Sequence, residues 1–157
     1  MQNQIQPKPF SVMVKPPQLY LIAIMLGGFI HLLWPLSLGF PLALTIIGLT
    51  LLTTSLSLMV WASREFKQAE TAVPHKIGAS TLVTTGPYRY TRNPMYVSLT
   101  LLQIGIGLIM GSVWVLLALI PVLIIMNRGV IAREETYMTT HFGQRYLDYK
   151  TAVRRWI

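Results

Sequence analysis

Residues Gly86 to Tyr96 read Gly-Pro-Tyr-Arg-Tyr-Thr-Arg-Asn-Pro-Met-Tyr and stand directly before a long apolar run. Gly86-Pro87 is typical of a turn, because proline fixes its own φ. Asn93-Pro94 predicts a helix start, with the asparagine at the N-cap and the proline at the first helical position. The free N–H groups of such a start favour an anion. Two arginines and three tyrosines add cationic and aromatic groups, so we interpret this stretch as a binding site.

The composition of the 157-residue chain is that of a membrane protein. Hydrophobic residues make up 53% and charged residues only 11%, whereas a soluble domain carries about 25% charged residues. There is no cysteine, which excludes disulfides, zinc–thiolate sites and a thiol nucleophile. The histidines show no metal-ligand spacing, so we expect no metal. The net charge of +8 would suggest nucleic acid for a soluble protein, but its distribution favours the membrane instead.

Four apolar stretches predict an all-α integral membrane protein with four transmembrane helices in two hairpins. The predicted spans are 19–38, 40–62, 95–110 and 112–127. The last two are short, at about 15 residues or 22 Å each, so a re-entrant pair is the alternative. A polar cytosolic loop over 63–94 would connect the hairpins, and cytosolic helices over 128–157 would follow the fourth span. All of this forms one domain over 1–157.

The charged residues decide the expected orientation. Every Lys, Arg, Asp and Glu falls before the first span, between the second and third spans, or after the fourth. With four spans these segments share one side of the membrane, whereas three or five spans would scatter them. The positive-inside rule makes that side cytoplasmic. We therefore expect both termini to be cytoplasmic, in a plasma or inner membrane.

Glu134-Glu135 follows the fourth span, in a stretch that we expect to continue as a helix until Phe142-Gly143 breaks it. Helical neighbours point about 100° apart, so only one of the two carboxylates can face the bundle squarely. The alternative is that both acids only neutralise Arg128 or Arg133. Their position on the same side of the membrane as the Gly86–Tyr96 stretch favours a shared site instead.

Beyond the break, an interfacial helix is predicted to lie on the membrane, anchored by aromatic residues and by the Arg154-Arg155 pair. The residues at helical spacing are Tyr146, Tyr149, Val153 and Trp156.

Two motifs resemble the signature of the isoprenylcysteine carboxyl methyltransferase and phospholipid methyltransferase family. The first runs from Leu82 through Gly-Pro-Tyr-Arg-Tyr-Thr-Arg-Asn-Pro-Met-Tyr to residue 96. The second is Arg-Glu-Glu from Arg133, followed by Phe-Gly-Gln-Arg-Tyr-Leu-Asp-Tyr from Phe142. Members of this family are intramembrane enzymes that move a methyl group from S-adenosylmethionine to a lipophilic substrate. The resemblance implies the same activity here, with a substrate that enters sideways from the bilayer.

The resemblance also implies the site residues. The cofactor would be bound by the segment before the glycine, one tyrosine after it, the helix entrance and one acid, namely Ser80, Thr81, Leu82, Val83, Tyr88, Asn93, Pro94, Met95, Tyr96 and Glu134. The predicted catalytic residues are Glu135 as proton acceptor, Arg92 as a cationic group of the first motif, and Arg133 as a substrate-facing cation. An aligned acceptor would attack the methyl group in line, in a dry site.

Two positions depart from the prenylcysteine enzymes and leave the acceptor open. Asn93 stands where those enzymes usually have histidine, and asparagine cannot shuttle a proton. Val130 stands where they have a substrate-facing arginine. Two other functions are compatible with the sequence: a membrane reductase that uses a nicotinamide cofactor, and a non-catalytic protein whose basic face binds anionic lipid. We expect membrane lipids and no nucleic acid as partners, and the oligomeric state is undetermined.

Overall fold

The computed structural model of the protein describes residues 15–39, 41–71 and 81–157, and their regular secondary structure is helical apart from one isolated bridge. The helices are α1 Pro16–Leu33, α2 Leu42–Thr71, α3 Pro94–Ile109, α4 Val113–Leu117, α5 Leu119–Ile125, α6 Ala132–Phe142 and α7 Gln144–Ala152. A 3₁₀ turn covers Gly86–Arg89, and a π-helical segment, Met126–Ile131, joins α5 to α6.

Three helices in the described part of the chain are long and apolar enough to cross a membrane: Pro16–Leu33, Leu42–Ala69 and Val113–Phe142. The last of these corresponds to the fourth predicted span, and we call it the fourth helix. It includes α4, α5, the π-helical segment and α6. With 16 residues, α3 is shorter, at about 24 Å. Apolar side chains such as Leu26 and Phe29 are more than half exposed, as lipid-facing side chains are. The predicted all-α membrane fold is confirmed, while the count of four spans stays a prediction.

The helix bounds differ from the predicted spans in two places. α1 ends at Leu33 rather than at 38, because Trp34 leaves the helical conformation and a proline follows it. α2 continues to Thr71, so the prediction of a loop from residue 63 was wrong over its first part. Residues 63–69 contain no glycine or proline and several strong helix formers, which explains the extension.

The two hairpin turns bond to each other at one end of the bundle. Leu38 N donates to Gly111 O at 2.8 Å, beside an antiparallel bridge between Ser37 and Ser112. Residues 34–41 and 110–112 contain no charged side chain. We call this the turn end of the molecule.

Glycines let neighbouring helices approach each other closely. A Cβ on Gly27 of α1 would lie 2.8 Å from Val115 Cα, and a Cβ on Gly48 of α2 would lie 2.9 Å from Gly105 O in α3. No side chain fits at such distances, so these backbones pack directly on each other. These contacts fix α1 against the fourth helix and α2 against α3.

A core cluster runs from α1 along the fourth helix to the π-helical segment. Its buried residues are Tyr20, Ala23, Leu119, Val122, Met126, Val130 and Ile131. Tyr20 OH also bonds to Thr100 Oγ1 at 2.8 Å, which ties α1 to α3. The core therefore ends where α6 begins, and the acidic pair follows within one turn.

Candidate functional site

A cavity of about 360 Å³ lies opposite the turn end, between α2, the segment 81–93, the start of α3, α6 and α7. Every described residue that we predicted to bind the cofactor lines it: Thr81, Leu82, Val83, Tyr88, Asn93, Pro94, Met95, Tyr96 and Glu134. Two predicted catalytic residues, Arg92 and Glu135, line it as well. Ser80 lies outside the described residues.

Arg133 lies away from this cavity. Its side chain is exposed, and it is absent from the cavity wall, whereas the two acids that follow it contribute to that wall. Successive helical residues point about 100° apart, so a helix that turns residues 134 and 135 inward turns residue 133 outward. The structure thus does not support the prediction that Arg133 faces the substrate.

The cavity wall also includes residues that the sequence reasoning did not assign to the site: Phe66, Ile131, Tyr137, Met138, Tyr146 and Tyr149. Helical spacing could have revealed some of them, because residues 137 and 138 stand three and four positions after Glu134 and share its face. Phe66 belongs to the part of α2 that was predicted as loop.

The aromatic residues of α7 face the protein rather than the membrane surface. Tyr146 is only 4% exposed, and Tyr149 OH donates to Tyr88 O at 2.7 Å. The prediction of an interfacial helix anchored by these tyrosines was therefore wrong. Periodicity shows that residues share one face, but it does not show what that face contacts.

Glu134 connects the two sequence motifs. Tyr96 OH, at the start of α3, donates to Glu134 Oε1 at 2.5 Å. This bond closes the cavity between α3 and α6. The helix entrance and the acidic pair therefore meet at one place.

Glu135 is buried and surrounded by cations. Its carboxylate accepts hydrogen bonds from Arg155 Nε and Nη2, both at 2.8 Å. Arg92 Nη1 and Lys150 Nζ lie 3.0 and 3.2 Å from its oxygens. These partners differ from Arg128 and Arg133, which the sequence had suggested. The bond to Glu135 raises the pKa of Arg155. The Arg155 side chain thus binds a residue of the cavity wall, at a position where the sequence predicted a headgroup anchor.

Asn93 occupies the N-cap position of α3, but its side chain does not cap the helix. Its Nδ2 instead donates to Arg155 O at 2.9 Å. The N–H groups at this helix start are largely satisfied within the chain: Asn93 N donates to Thr91 Oγ1, Pro94 has no N–H, and Tyr96 N and Val97 N donate to Asn93 O.

Two residues of the cavity wall carry buried polar atoms without a hydrogen-bond partner. Thr81 Oγ1 and Arg92 Nε are buried and have no hydrogen-bond partner within the described residues. Such groups cost free energy unless a ligand or water satisfies them. Burial raises the pKa of Tyr88 to about 12 and raises that of Tyr149 as well, so both hydroxyls remain neutral at physiological pH.

Comparison with known proteins gives a family for this arrangement. The sequence model of the family described as phospholipid methyltransferase matches residues 43–145. The chain belongs to this family. The matched region contains the first motif, the second motif as far as residue 145, and most of the cavity wall. Membership implies a membrane methyltransferase that acts on lipid. An uncharacterized protein of Haemophilus influenzae is 41% identical over 63 residues, which are 40% of this chain and all of that protein. No solved structure matches the chain.

Proposed function

We propose that this phospholipid methyltransferase family member transfers a methyl group from S-adenosylmethionine to a lipophilic small molecule or lipid at the cytosolic face of the membrane. The observation that carries the proposal is the single cavity lined by both motifs and closed by the bond between Tyr96 and Glu134. The family membership supports the reaction, and the segregated charges support the cytosolic face.

The residues of the cavity fit S-adenosylmethionine. A volume of about 360 Å³ lies within the range of about 300–1,000 Å³ that small-molecule sites occupy. The molecule carries a cationic sulfonium and ammonium, a carboxylate, ribose hydroxyls and an adenine ring. The wall offers an acid, a guanidinium with an unpartnered Nε, a free threonine hydroxyl and several aromatic rings. When bound, S-adenosylmethionine supplies a methyl group made electrophilic by the sulfonium.

Each wall residue has a role that its chemistry suggests. Glu134 accepts a hydrogen bond from the neutral Tyr96 hydroxyl and would accept further hydrogen bonds from the ammonium or ribose hydroxyls of the ligand. Arg92 holds the carboxylate. The faces of Tyr88 and the other tyrosines attract the sulfonium and stack on adenine. These contacts fix the position and orientation of the methyl donor. Alignment of the donor with the acceptor would supply most of the rate enhancement.

Glu135 is better suited to organising the site than to accepting a proton. Its two oxygens are occupied by Arg155, with Arg92 and Lys150 nearby, and cations this close stabilise the ionised carboxylate. We therefore assign it the positioning of Arg92 in place of the predicted role as base. A carboxylate or phosphate acceptor needs no strong base, which agrees with this arrangement and with Asn93 in place of histidine.

Two titrations and one methyl-transfer assay test the proposal on the full chain in lipid nanodiscs. Isothermal titration with S-adenosylhomocysteine should show binding at one site per chain, and titration with NADPH should show none. Incubation with S-adenosylmethionine labelled in its methyl group and a total lipid extract should then place the label in the organic phase. Binding of NADPH without binding of S-adenosylhomocysteine would favour the reductase and overturn the methyltransferase. Binding of neither cofactor would overturn both.

A further inference from the structure

The segment 153–157 follows α7 and lies against the residues that lead into α3. Its backbone is extended at Val153, and its carbonyls accept bonds from the segment that leads into α3. Arg92 N donates to Arg154 O at 3.0 Å, and Asn93 Nδ2 donates to Arg155 O at 2.9 Å. Thr91 Oγ1 also donates to Arg155 O, at 3.3 Å. The entrance of α3 is therefore bonded to this segment on both sides of Arg92.

The side chain of Arg155 reaches the opposite wall. Its Nε and Nη2 bind the two oxygens of Glu135 at 2.8 Å each, and its Nη1 donates to Asn127 Oδ1 at 2.7 Å. A bidentate pair of this kind fixes the orientation of the carboxylate as well as its place. A single residue thus connects the α3 entrance, through its carbonyl, to the fourth helix, through its guanidinium.

Glu135 binds Arg155 at two points and Arg92 at one. Arg155 occupies both oxygens of Glu135, whereas Arg92 reaches only Oε1, at 3.0 Å from its Nη1. Without Arg155, the carboxylate would keep Arg92 and Lys150 as its cationic partners, but no bidentate pair would fix its orientation or that of Arg92 in the cavity wall. The family match ends at residue 145, so nothing in that match accounts for residue 155.

We propose that Arg155 is a positioning residue of the methyl-donor site. Its carbonyl holds Asn93, its guanidinium holds Glu135, and together they set the distance between the α3 entrance and α6. The inference rests on the proposed function for the identity of the ligand. The geometry that it describes exists without that ligand.

The test compares Arg155→Gln with Arg154→Gln in the full chain in nanodiscs. Both substitutions remove one positive charge from neighbouring positions, and both leave the backbone carbonyls in place, but the Arg154 side chain is exposed. Isothermal titration with S-adenosylhomocysteine should show affinity at least about tenfold weaker for Arg155→Gln and unchanged for Arg154→Gln. Arg155→Lys keeps the positive charge but lacks the parallel N–H donors of the guanidinium. Its affinity for S-adenosylhomocysteine should lie between those of the other two variants. Misfolding would lower the stoichiometry of the titration, whereas mispositioning lowers the affinity.

A second readout works without ligand. Hydrogen exchange of the Arg92 amide should be faster in Arg155→Gln than in the unsubstituted protein and in Arg154→Gln, because the segment that accepts its bond is then held less firmly. If the unsubstituted protein fails to bind S-adenosylhomocysteine, the proposed function falls, and hydrogen exchange alone decides on the positioning role. Equal exchange in Arg155→Gln and Arg154→Gln, or equal affinity of the two, would overturn the inference.

Discussion

The turn end of this bundle and the opposite end, which carries the cavity and which we call the site end, are held together in different ways. At the turn end, two uncharged turns bond through their backbones, as Leu38 does with Gly111. At the site end, side chains make most of the connections: Tyr96 with Glu134, Tyr149 with the backbone of Tyr88, and Arg155 with Glu135. One backbone bond, from Arg92 N to Arg154 O, accompanies them. Direct backbone contact leaves no space, whereas long side chains that meet across a gap enclose a cavity.

This difference explains where the charges are. A hairpin end held by main-chain bonds needs no ionisable group, and burying one there would cost free energy. A site that binds a charged ligand needs groups of both signs, and the buried Glu135 keeps the surrounding cations in place. The two ends should therefore respond differently to substitution: changes at the site end should alter ligand affinity, and changes in the close packing towards the turn end should alter stability.

The largest effect is expected at Glu134. Glu134→Gln keeps a hydrogen-bonding partner for Tyr96 but removes the negative charge that would face the ammonium or ribose hydroxyls of the ligand. Affinity for S-adenosylhomocysteine should fall about 10- to 100-fold, since a bond to a charged group contributes about 1.5–3 kcal/mol. Isothermal titration measures this, with Asp148→Asn on the exposed face of α7 as the matched control. Equal affinities of the two variants would remove Glu134 from the site.

The next effect concerns the packing of α1 against α4. Gly27→Ala would place a Cβ 2.8 Å from Val115 Cα, whereas a Cβ at Gly28 would lie 3.5 Å from the flexible end of Met110. We expect Gly27→Ala to lower the free energy of unfolding by about 1–3 kcal/mol and Gly28→Ala to leave it nearly unchanged. Thermal unfolding in nanodiscs compares the two. S-adenosylhomocysteine should bind the folded fraction of each variant equally, and weaker binding to either one would contradict the separation of the two ends.

A smaller effect is expected from the glycine that opens the 3₁₀ turn. Gly86 has a φ of +57°, and Gly143 has a φ of +56°, so alanine is strained at both positions, by about 1–3 kcal/mol. Only at Gly86 would the new Cβ also meet a side chain, that of Glu65, which accepts a bond from Thr85. Thermal unfolding should therefore show a larger loss for Gly86→Ala than for Gly143→Ala. The reverse order would mean that Glu65 moves aside without cost.

The smallest effect is the ionisation of Tyr88. Burial raises the pKa of its hydroxyl to about 12, while an unfolded tyrosine has a pKa of about 10. The neutral hydroxyl thus stabilises the folded protein fully below pH 10, and this contribution is lost as the pH rises towards 12. The tyrosinate absorbance of the unsubstituted protein, minus that of Tyr88→Phe, should remain close to zero up to about pH 11. A difference that appears near pH 10 would show that Tyr88 is exposed to solvent.

Much of the site could be predicted because its residues belong to two local motifs. The turn at Gly86, the helix start at Pro94 and the acid at Glu134 each have a sequence signal that does not depend on distant contacts. Their resemblance to one family then predicted that they would share a ligand, and the structure brings them to one cavity. The bound ligand itself stays a prediction.

The remaining parts depend on contacts between distant segments. The spacing of Tyr146 and Tyr149 defines a helix face but does not show whether lipid or protein covers it. We predicted the membrane surface, whereas both side chains contact the protein. Arg155 lies at a position where basic residues commonly meet headgroups, and only the folded chain shows that it binds Glu135. The loop predicted from residue 63 was wrong because hydropathy marks where the apolar stretch ends, whereas the helix continues through residues 63–71.

Hydrogen exchange with and without S-adenosylhomocysteine tests most directly whether one small molecule contacts both motifs. Two segments far apart in sequence, 81–96 and 131–149, should become protected together, at the same ligand concentration, while the backbone bond at Leu38 on the turn end is unaffected. Protection of only one of the two segments, or of neither, would contradict a shared methyl-donor site.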